Sequence, residues 1–205
     1  MSVQTWLTFV LVFTAVGLPP GPNAVACVAA SVANGLPRAF FLPLGIGLAC
    51  VIHALIATLG LGALLLTSAE LWTVFRWLGA AYLAWLGIRL WCRPAPARWG
   101  ETAPAAPARL LRQGCLISLS NPKAILSYLA VFPQFVDPSA PVAPQLLVLI
   151  PTATVIVIAI YGGWVILASP LRRWLTTADR LRAFNRAAGG AFVLSACALA
   201  FGARR

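Results

Sequence analysis

Pro19-Pro20-Gly21-Pro22-Asn23 interrupts an apolar run that extends from residue 3 to residue 32. Three prolines and a glycine cannot continue a regular helix, because proline lacks the backbone donor and its ring clashes with the preceding turn. In a membrane such a break is tolerated where it is buried in protein or lines a cavity. It frees carbonyl groups on one half-helix and amide groups on the next, and these can bind a zwitterion or an ion.

A second break, Asn121-Pro122-Lys123, lies at a comparable depth in the apolar run 110–136. We therefore divide the chain into two three-helix halves, 1–92 and 110–205, joined by a basic Pro- and Ala-rich linker at 93–109. An odd number of spans in each half gives the halves opposite orientations, as in inverted-repeat transporters that bind substrate between the repeats. Two ordinary proline kinks are the alternative explanation, although Asn beside Pro at both breaks favours the repeat.

The composition is that of an integral membrane protein. Of 205 residues, 61% are hydrophobic and only 9% are charged, against ~25% charged in an average soluble domain. An ordinary globular domain, a disordered chain and a disulfide-rich secreted scaffold are thereby excluded. Backbone groups in lipid are satisfied by helices, so we predict an all-α fold with six transmembrane helices, the first and fourth broken. The apolar runs cover residues 3–32, 39–66, 71–91, 110–136, 142–168 and 187–203.

The positive charges indicate the topology. The net charge is +11, and eleven of the fifteen basic residues flank three of the connections between runs. The positive-inside rule places these three connections in the cytoplasm and both termini outside, so we expect lipid rather than nucleic acid as the surrounding partner. No basic stretch precedes the first run, which favours a retained helix over a signal peptide. The residues are Arg38, Arg89, Arg93, Arg98, Arg109, Arg112, Arg172, Arg173, Arg180, Arg182 and Arg186.

Three ionisable residues are candidates for function. Lys123 lies too deep in its run to be a simple loop charge, and an intramembrane ionisable residue is a functional candidate by default. It could bind a substrate carboxylate, tie down a helix end or extend its stem to an interface. His53 could carry a proton within its span or be a neutral histidine bonded across helices. Asp137 could relay protons or gate an exit, or simply cap a helix or loop.

The sequence predicts neither a metal centre, nor a cofactor site, nor an enzyme. The five cysteines are scattered, form no C-x-x-C pair and fall almost entirely inside apolar runs, as small hydrophobic side chains do. The chain has no paired carboxylates, no nucleophile–base pair and no H-E-x-x-H motif. Small-molecule transport is the interpretation that these absences leave strongest.

Four stretches resemble the LysE/RhtB family of amino-acid exporters. They are PGPNA at 20–24, LGAAYLAWLGI at 78–88, NPKAIL at 121–126 and FPQFVD at 132–137. They occur in the family's order and spacing, and the similarity covers nearly the full length. The pairing of the first with the third is the specific part of the signal, because either alone is weak.

The resemblance implies a bacterial cytoplasmic-membrane carrier that exports amino acids or their derivatives, driven by the proton motive force. Pro20, Gly21, Pro22 and Asn23 would then line the path together with the Asn121-Pro122-Lys123 break. Basic-amino-acid exporters of the family have an acidic residue in span five. None occurs between 142 and 168 here, which favours a neutral substrate.

Other functions stay open at the level of sequence. The alternative is an ion or metal-cation transporter on a related six-helix scaffold, which would normally bring acids, histidines or thiols into the membrane. A non-transporting membrane scaffold is a third possibility, although it gains nothing evident from two broken helices. Assembly into a homo-oligomer is also left open.

Overall fold

The structure, a computed structural model, describes residues 1–58, 69–92, 105–137, 139–174 and 177–201. These residues are helical and contain no strand. The helices are α1 Val3–Gly17, α2 Pro22–Asn34, α3 Leu36–Ala39, α4 Phe41–Thr58, α5 Ala69–Trp91, α6 Pro107–Leu119, α7 Pro122–Val131, a 3₁₀ helix Phe132–Phe135, α8 Val142–Trp174 and α9 Ala178–Phe201. Most of the predicted linker, residues 93–104, lies outside the described part of the chain.

Both predicted breaks occur where the prolines place them. The axes of α1 and α2 are bent by 70° at the first break, and those of α6 and the Pro122–Phe135 segment by 65° at the second. Each new half-helix starts on a proline, Pro22 or Pro122. Proline is favoured there because the first helical N–H has no intrahelical partner to lose.

Apolar helices of membrane-spanning length are present. The segments Leu36–Thr58 and Val142–Leu171 are each long and apolar enough to cross a membrane. The two bent pairs, α1 with α2 and α6 with the Pro122–Phe135 segment, are also long and apolar enough if each pair is counted as one span. The helices α5 and α9 have 23 and 24 residues, or roughly 35 Å at 1.5 Å per residue. The structure therefore supports an all-helical membrane protein, while six spans and an inverted repeat stay predictions.

The helices α8 and α9 are longer than the fifth and sixth apolar runs of the sequence. Residues 170–186 were expected to form a basic connection, yet α8 continues to Trp174 and α9 begins at Ala178. Hydropathy marks where the chain meets lipid, whereas a helix can extend past that surface because its backbone bonds are internal. At 33 residues, α8 is about 50 Å long and exceeds the ~30 Å hydrocarbon layer.

Each pair of broken helices packs on a long helix from the other of the two predicted halves. Both α1 and α2 pack on α8, while α6 and α7 pack on α4. Long helices of corresponding position also meet, α4 with α8 and α5 with α9. The closest backbone approach joins α4 to α6, where a Cβ on Gly45 would overlap the Leu111 carbonyl and one on Gly114 would overlap the Leu42 carbonyl. Only glycine allows this crossing.

The core lies between the breaks and the long helices. Its largest buried side chains include Phe9, Phe132 and Leu42. Many large apolar side chains point outward instead, for example Leu147 and Phe201, which are 76% and 77% exposed. Such a surface would be costly in water and suits contact with lipid tails.

Candidate functional site

The two breaks meet at a hydrogen-bonded cluster of Asn23, Ser118 and Asn121, here called the Asn cluster. The Nδ2 group of Asn121 donates to Oδ1 of Asn23 at 3.1 Å, and Nδ2 of Asn23 donates to Oγ of Ser118 at 3.3 Å. All three side chains are buried, with at most 2% exposure. The bonds join residues 95 to 98 positions apart in sequence, so the cluster fastens the two halves together.

The Asn cluster lies at the N-terminal ends of two helices, α2 and α7. Asn121 is the N-cap of α7, and its Oδ1 accepts from the Lys123 N–H at 3.1 Å, as N-cap residues usually do. Asn23 follows Pro22 in the first turn of α2. The positive ends of two half-helix dipoles therefore converge on one point. An anionic group is favoured there.

Lys123 links the second break to the first. Its Nζ donates to the carbonyl oxygen of Pro19, which lies in the break two residues past the end of α1. Gly21 lies beside its aliphatic stem, since a Cβ there would come 3.6 Å from the Lys123 Cδ. The Lys123 carbonyl accepts from Ser127 Oγ at 2.6 Å. In this conformation Lys123 thus ties down a helix end, one of the roles predicted for it.

A small cavity adjoins the Asn cluster. Its volume is about 40 Å³, which is room for a few water molecules rather than a whole amino acid. Tyr161 of α8 and Asn23 both line it. The lining residues are Phe13, Val16, Gly17, Asn23, Ile46, Ser118, Asn121, Lys123, Ala124, Ser127, Tyr128, Val157, Ile160 and Tyr161. We call this space the central cavity.

Five rings close one side of the central cavity. Phe9 and Phe13 of α1 stack on each other at 5.2 Å and meet rings of α7 and the 3₁₀ helix edge to face. Neighbouring ring centroids lie 5.2–5.7 Å apart, which is favourable for aromatic pairs. This aromatic cluster consists of Phe9, Phe13, Tyr128, Phe132 and Phe135.

His53 lies next to the central cavity, behind one of its walls. Its ring stacks on that of Tyr128 with centroids 5.0 Å apart, and Tyr128 lines the cavity. The His53 side chain is 4% exposed, and neither ring nitrogen has a hydrogen-bond partner among the described residues. Leaving a buried polar group unpaired costs about 1–3 kcal/mol. The predicted bond across helices is thus not formed in this conformation.

Asp137 is not part of the central cavity. It is exposed, and its carboxylate accepts hydrogen bonds from the Ser139 hydroxyl and backbone N–H at 2.6 and 2.9 Å. These two bonds hold the pKa of Asp137 below its ordinary value. Because that pKa is lowered, the turn is favoured above the ordinary pKa and weakens as pH falls through the lowered one. The geometry is that of a loop cap.

The structure brings most of the predicted site residues together. Asn23, Asn121 and Lys123 line the central cavity. Pro20, Gly21, Pro22 and Pro122 form the two breaks beside it. Sequence reasoning missed four polar residues of the lining: Ser118, Ser127, Tyr128 and Tyr161. A polar group inside an apolar run was the signal that each of them offered.

No set of metal ligands is assembled in the described residues. They contain no group of three His, Cys, Asp or Glu side chains close enough to hold an ion. The five cysteines are free, and Cys27 and Cys50 are buried singly. Thr154 Oγ1 lies 3.5 Å from the sulfur of Cys50. The polar groups of the candidate site are amides, hydroxyls and one amine, which suit a small organic zwitterion.

Comparison with known proteins supplies the family. The model of the LysE type translocator matches residues 14–202. The chain belongs to this family. An uncharacterized membrane protein of Vibrio cholerae is 36% identical over 197 residues, covering 94% of this chain and 95% of the relative. No solved structure matches the chain significantly.

Two relatives of this LysE type translocator have names that state a substrate. A homoserine/homoserine lactone efflux protein of Salmonella typhimurium is 32% identical over 202 residues, or 98% of each chain. A leucine efflux protein of Enterobacter sp. (strain 638) is 30% identical over 185 residues, covering 88% of this chain and 87% of the relative. The predicted family is confirmed. The chain is a multi-pass bacterial membrane transporter and not an enzyme.

Proposed function

We propose that this LysE type translocator exports neutral amino acids or their derivatives from the cytoplasm by alternating access, driven by the proton motive force. The observation that carries the proposal is the meeting of both broken helices at the Asn cluster. Two half-helix N-termini beside a lysine are a setting suited to a carboxylate. Relatives named for homoserine and leucine efflux support an amino acid as the ligand.

The substrate carboxylate binds at the helix starts. In the proposed bound state Lys123 exchanges the Pro19 carbonyl for the carboxylate, to which the first N–H groups of α2 also donate. A charge-assisted hydrogen bond is roughly twice as strong as a neutral one, so this exchange favours binding. The substrate ammonium group takes the carbonyl that Lys123 leaves, together with hydroxyl groups such as that of Tyr161.

The side-chain specificity follows from the lining. Apolar groups of Phe13, Ile46 and Val157 face the central cavity. No Asp or Glu is among its described lining residues. A cationic side chain would therefore be desolvated without a partner, and burying an unpaired charge is costly. Neutral side chains meet no such cost.

Alternating access is supported by the exchange of broken helices between halves. The helix α1 reaches the Asn cluster from one side together with α7, while α2 and α6 lie on the other. The aromatic cluster blocks the α1–α7 side. By the positive-inside rule that side is external, so this conformation is closed to the outside. The central cavity must widen to accept substrate, and rocking of the halves against each other provides that change.

Proton coupling is assigned to His53. It is the only histidine of the chain. Its ring stacks on Tyr128, which lines the central cavity, and both ring nitrogens lack a partner among the described residues. An imidazole changes charge near physiological pH. Protonation in the state open to the outside, and proton release in the state open to the cytoplasm, would couple proton entry to amino-acid exit.

Export itself is the decisive measurement. Cells that overproduce the protein are fed a panel of dipeptides, and each amino acid released into the medium is quantified over time. We expect faster release of one or a few neutral amino acids than in cells without the protein. Lysine and arginine release should be unchanged.

The test variant is Lys123→Ala, produced at the same membrane level as the wild type. The matched control is Arg180→Ala, which removes one exposed positive charge remote from the cavity. Lys123→Ala should abolish the added release, while Arg180→Ala should retain it. Wild-type release in the Lys123→Ala cells would refute the site. No added release of any amino acid would refute the function and direct attention to cation transport.

A further inference from the structure

A second and much larger cavity lies on the α2–α6 side of the Asn cluster. Its volume is about 780 Å³, within the range of small-molecule sites. The walls come from α2, α5, α6 and α9. Its polar lining is concentrated in Arg89, Arg109, Arg112, Gln113, Tyr82 and Trp85. We call this space the arginine cavity.

Among its described lining residues the arginine cavity has three positive charges and no Asp or Glu. Arg89, Arg109 and Arg112 line it, and none of them forms an ion pair within the described residues. The Arg89 guanidinium lies 5.1 Å from the ring centre of Trp85, a cation–π contact that leaves its N–H edge available. Three guanidinium groups around one space are an anion-binding arrangement, because each presents a fork of donors that matches a carboxylate.

Helix stability does not account for two of these arginines. Arg109 and Arg112 lie in the first two turns of α6, which begins at Pro107. The positive end of the helix dipole disfavours cations at that position. Their charges therefore weaken the helix slightly. The positive-inside rule accounts for two arginines on the cytoplasmic side, and an anionic ligand would in addition account for their lining one cavity with Arg89.

The aromatic wall adds an apolar surface to the charge. Tyr82 and Trp85 stack with ring centroids 5.9 Å apart, and Leu86 lines the same cavity. A ligand that is anionic at one end and apolar at the other fits both features. The headgroup of a phospholipid would use the arginines but would leave the inner part of the cavity unfilled.

The arginine cavity ends one helical turn from the Asn cluster. Ala26 and Leu116 form part of its lining. Ala26 is three residues after Asn23, and Leu116 is two before Ser118, which corresponds to about 3–5 Å along each helix. The linings of the arginine cavity and the central cavity therefore come within about one helical turn of each other along α2 and α6.

We propose that the arginine cavity is the entry vestibule of the export path, where Arg109 and Arg112 capture the carboxylate of an uncharged amino acid before it reaches the Asn cluster. The inference rests on the proposed function and extends it to a second binding site. Lysine and arginine are rejected at this point, because their net positive charge is repelled by three guanidinium groups and the described lining residues include no Asp or Glu.

The test uses everted membrane vesicles, whose outer surface is the cytoplasmic face. Energised vesicles accumulate the exported amino acid, and KM and maximal rate are measured for the neutral amino acids of the export panel. The test variant is Arg109→Gln/Arg112→Gln. The control is Arg180→Gln/Arg182→Gln, which removes the same charge from the start of α9, outside the cavity. A reporter fused to the C-terminus checks that neither pair of changes alters the topology.

We expect KM of the test variant to rise about fivefold to tenfold, as loss of a charge-assisted contact would cause, with the maximal rate retained. The control should keep both wild-type values, and Arg109→Lys/Arg112→Lys should recover part of the affinity. Competition by lysine, weak against the wild type, should strengthen in the test variant.

Three results would overturn the proposal. Unchanged KM in the test variant, with active wild-type vesicles, rejects the vestibule and leaves the exporter function intact. Absence of accumulation by wild-type vesicles rejects both. The third result would identify a lipid site instead. Transport by the wild-type protein in liposomes would then need phosphatidylglycerol and fail in phosphatidylethanolamine alone. The test variant would transport equally well in both lipids, with an unchanged KM.

Discussion

At the scale of single residues, Asn23 connects the first break to the second. Its side chain accepts a hydrogen bond from Asn121 and donates one to Ser118. An amide is suited to this position because it is both donor and acceptor without charge.

The first prediction is that Asn23→Ala lowers export at least about tenfold, because it leaves buried groups of Asn121 and Ser118 unpaired at about 1–3 kcal/mol each. Release of the exported amino acid is measured at matched membrane levels. Asn185→Ala, at another buried asparagine, is the control and should retain export. Equal export by the two variants would argue against the Asn cluster.

His53 makes a prediction that separates binding from coupling. His53→Gln should keep exchange of labelled for unlabelled substrate, since the substrate groups are elsewhere, but lose accumulation driven by a pH gradient. Both are measured in liposomes with and without an imposed gradient. Asn23→Ala should lose both activities. Gradient-driven accumulation by His53→Gln would show that the coupling proton uses another group.

The residue scale also shows how far sequence could predict the site. Pro20, Pro22 and Pro122 act on their own turns, so the breaks were predictable from local chemistry. Lys123 was singled out because charge is rare within a span. Tyr161 and Ser118 were missed, because their role depends on which helix faces which. The bond between Asn23 and Asn121 spans 98 positions, and no local rule specifies it.

At the scale of elements, close packing of α4 and α6 positions the second break. The two helices cross where Gly45 faces the Leu111 carbonyl and Gly114 faces the Leu42 carbonyl. Ser118 lies one turn beyond Gly114, so the depth of this crossing determines where the Asn cluster forms. The chain has 16 glycines, and no local sequence pattern indicates which of them would meet another backbone.

Gly114→Ala is therefore expected to destabilise the fold. The added methyl group overlaps a backbone carbonyl that cannot move alone, and overpacking typically costs about 1–3 kcal/mol. Thermal unfolding in detergent should show a Tm several degrees below that of the wild type. Gly163→Ala is the same change in open space and should leave Tm unchanged or raise it. A normal Tm for Gly114→Ala would mean that the crossing is looser than described.

Helix ends were the least predictable feature of the elements. Hydropathy predicted spans five and six well in their apolar parts but ended the fifth at 168 and began the sixth at 187. The helices extend to Trp174 and back to Ala178. A helix end is determined by capping and propensity, whereas hydropathy reports only where lipid begins.

At the scale of the whole molecule, the charge distribution predicts the orientation in the membrane. In a background free of native cysteines, Ser2→Cys and Ser139→Cys should react with a membrane-impermeant maleimide in intact cells. Arg38→Cys and Arg180→Cys should react only after permeabilisation. These four positions test the six-span topology. If the number of spans between two of these positions differed by one from the prediction, at least one of the two would lie on the wrong side of the membrane.

The aromatic cluster has a consequence for the cell that makes the protein. A bacterial membrane stores energy as a voltage. A continuous chain of water molecules through an idle carrier would let protons leak across the membrane and lower that voltage. Five packed rings with centroids 5.2–5.7 Å apart place apolar groups across one side of the small central cavity, where such a chain of water molecules would be poorly solvated. A carrier that rests in this conformation would therefore let the cell keep many copies in its membrane at little cost to the voltage.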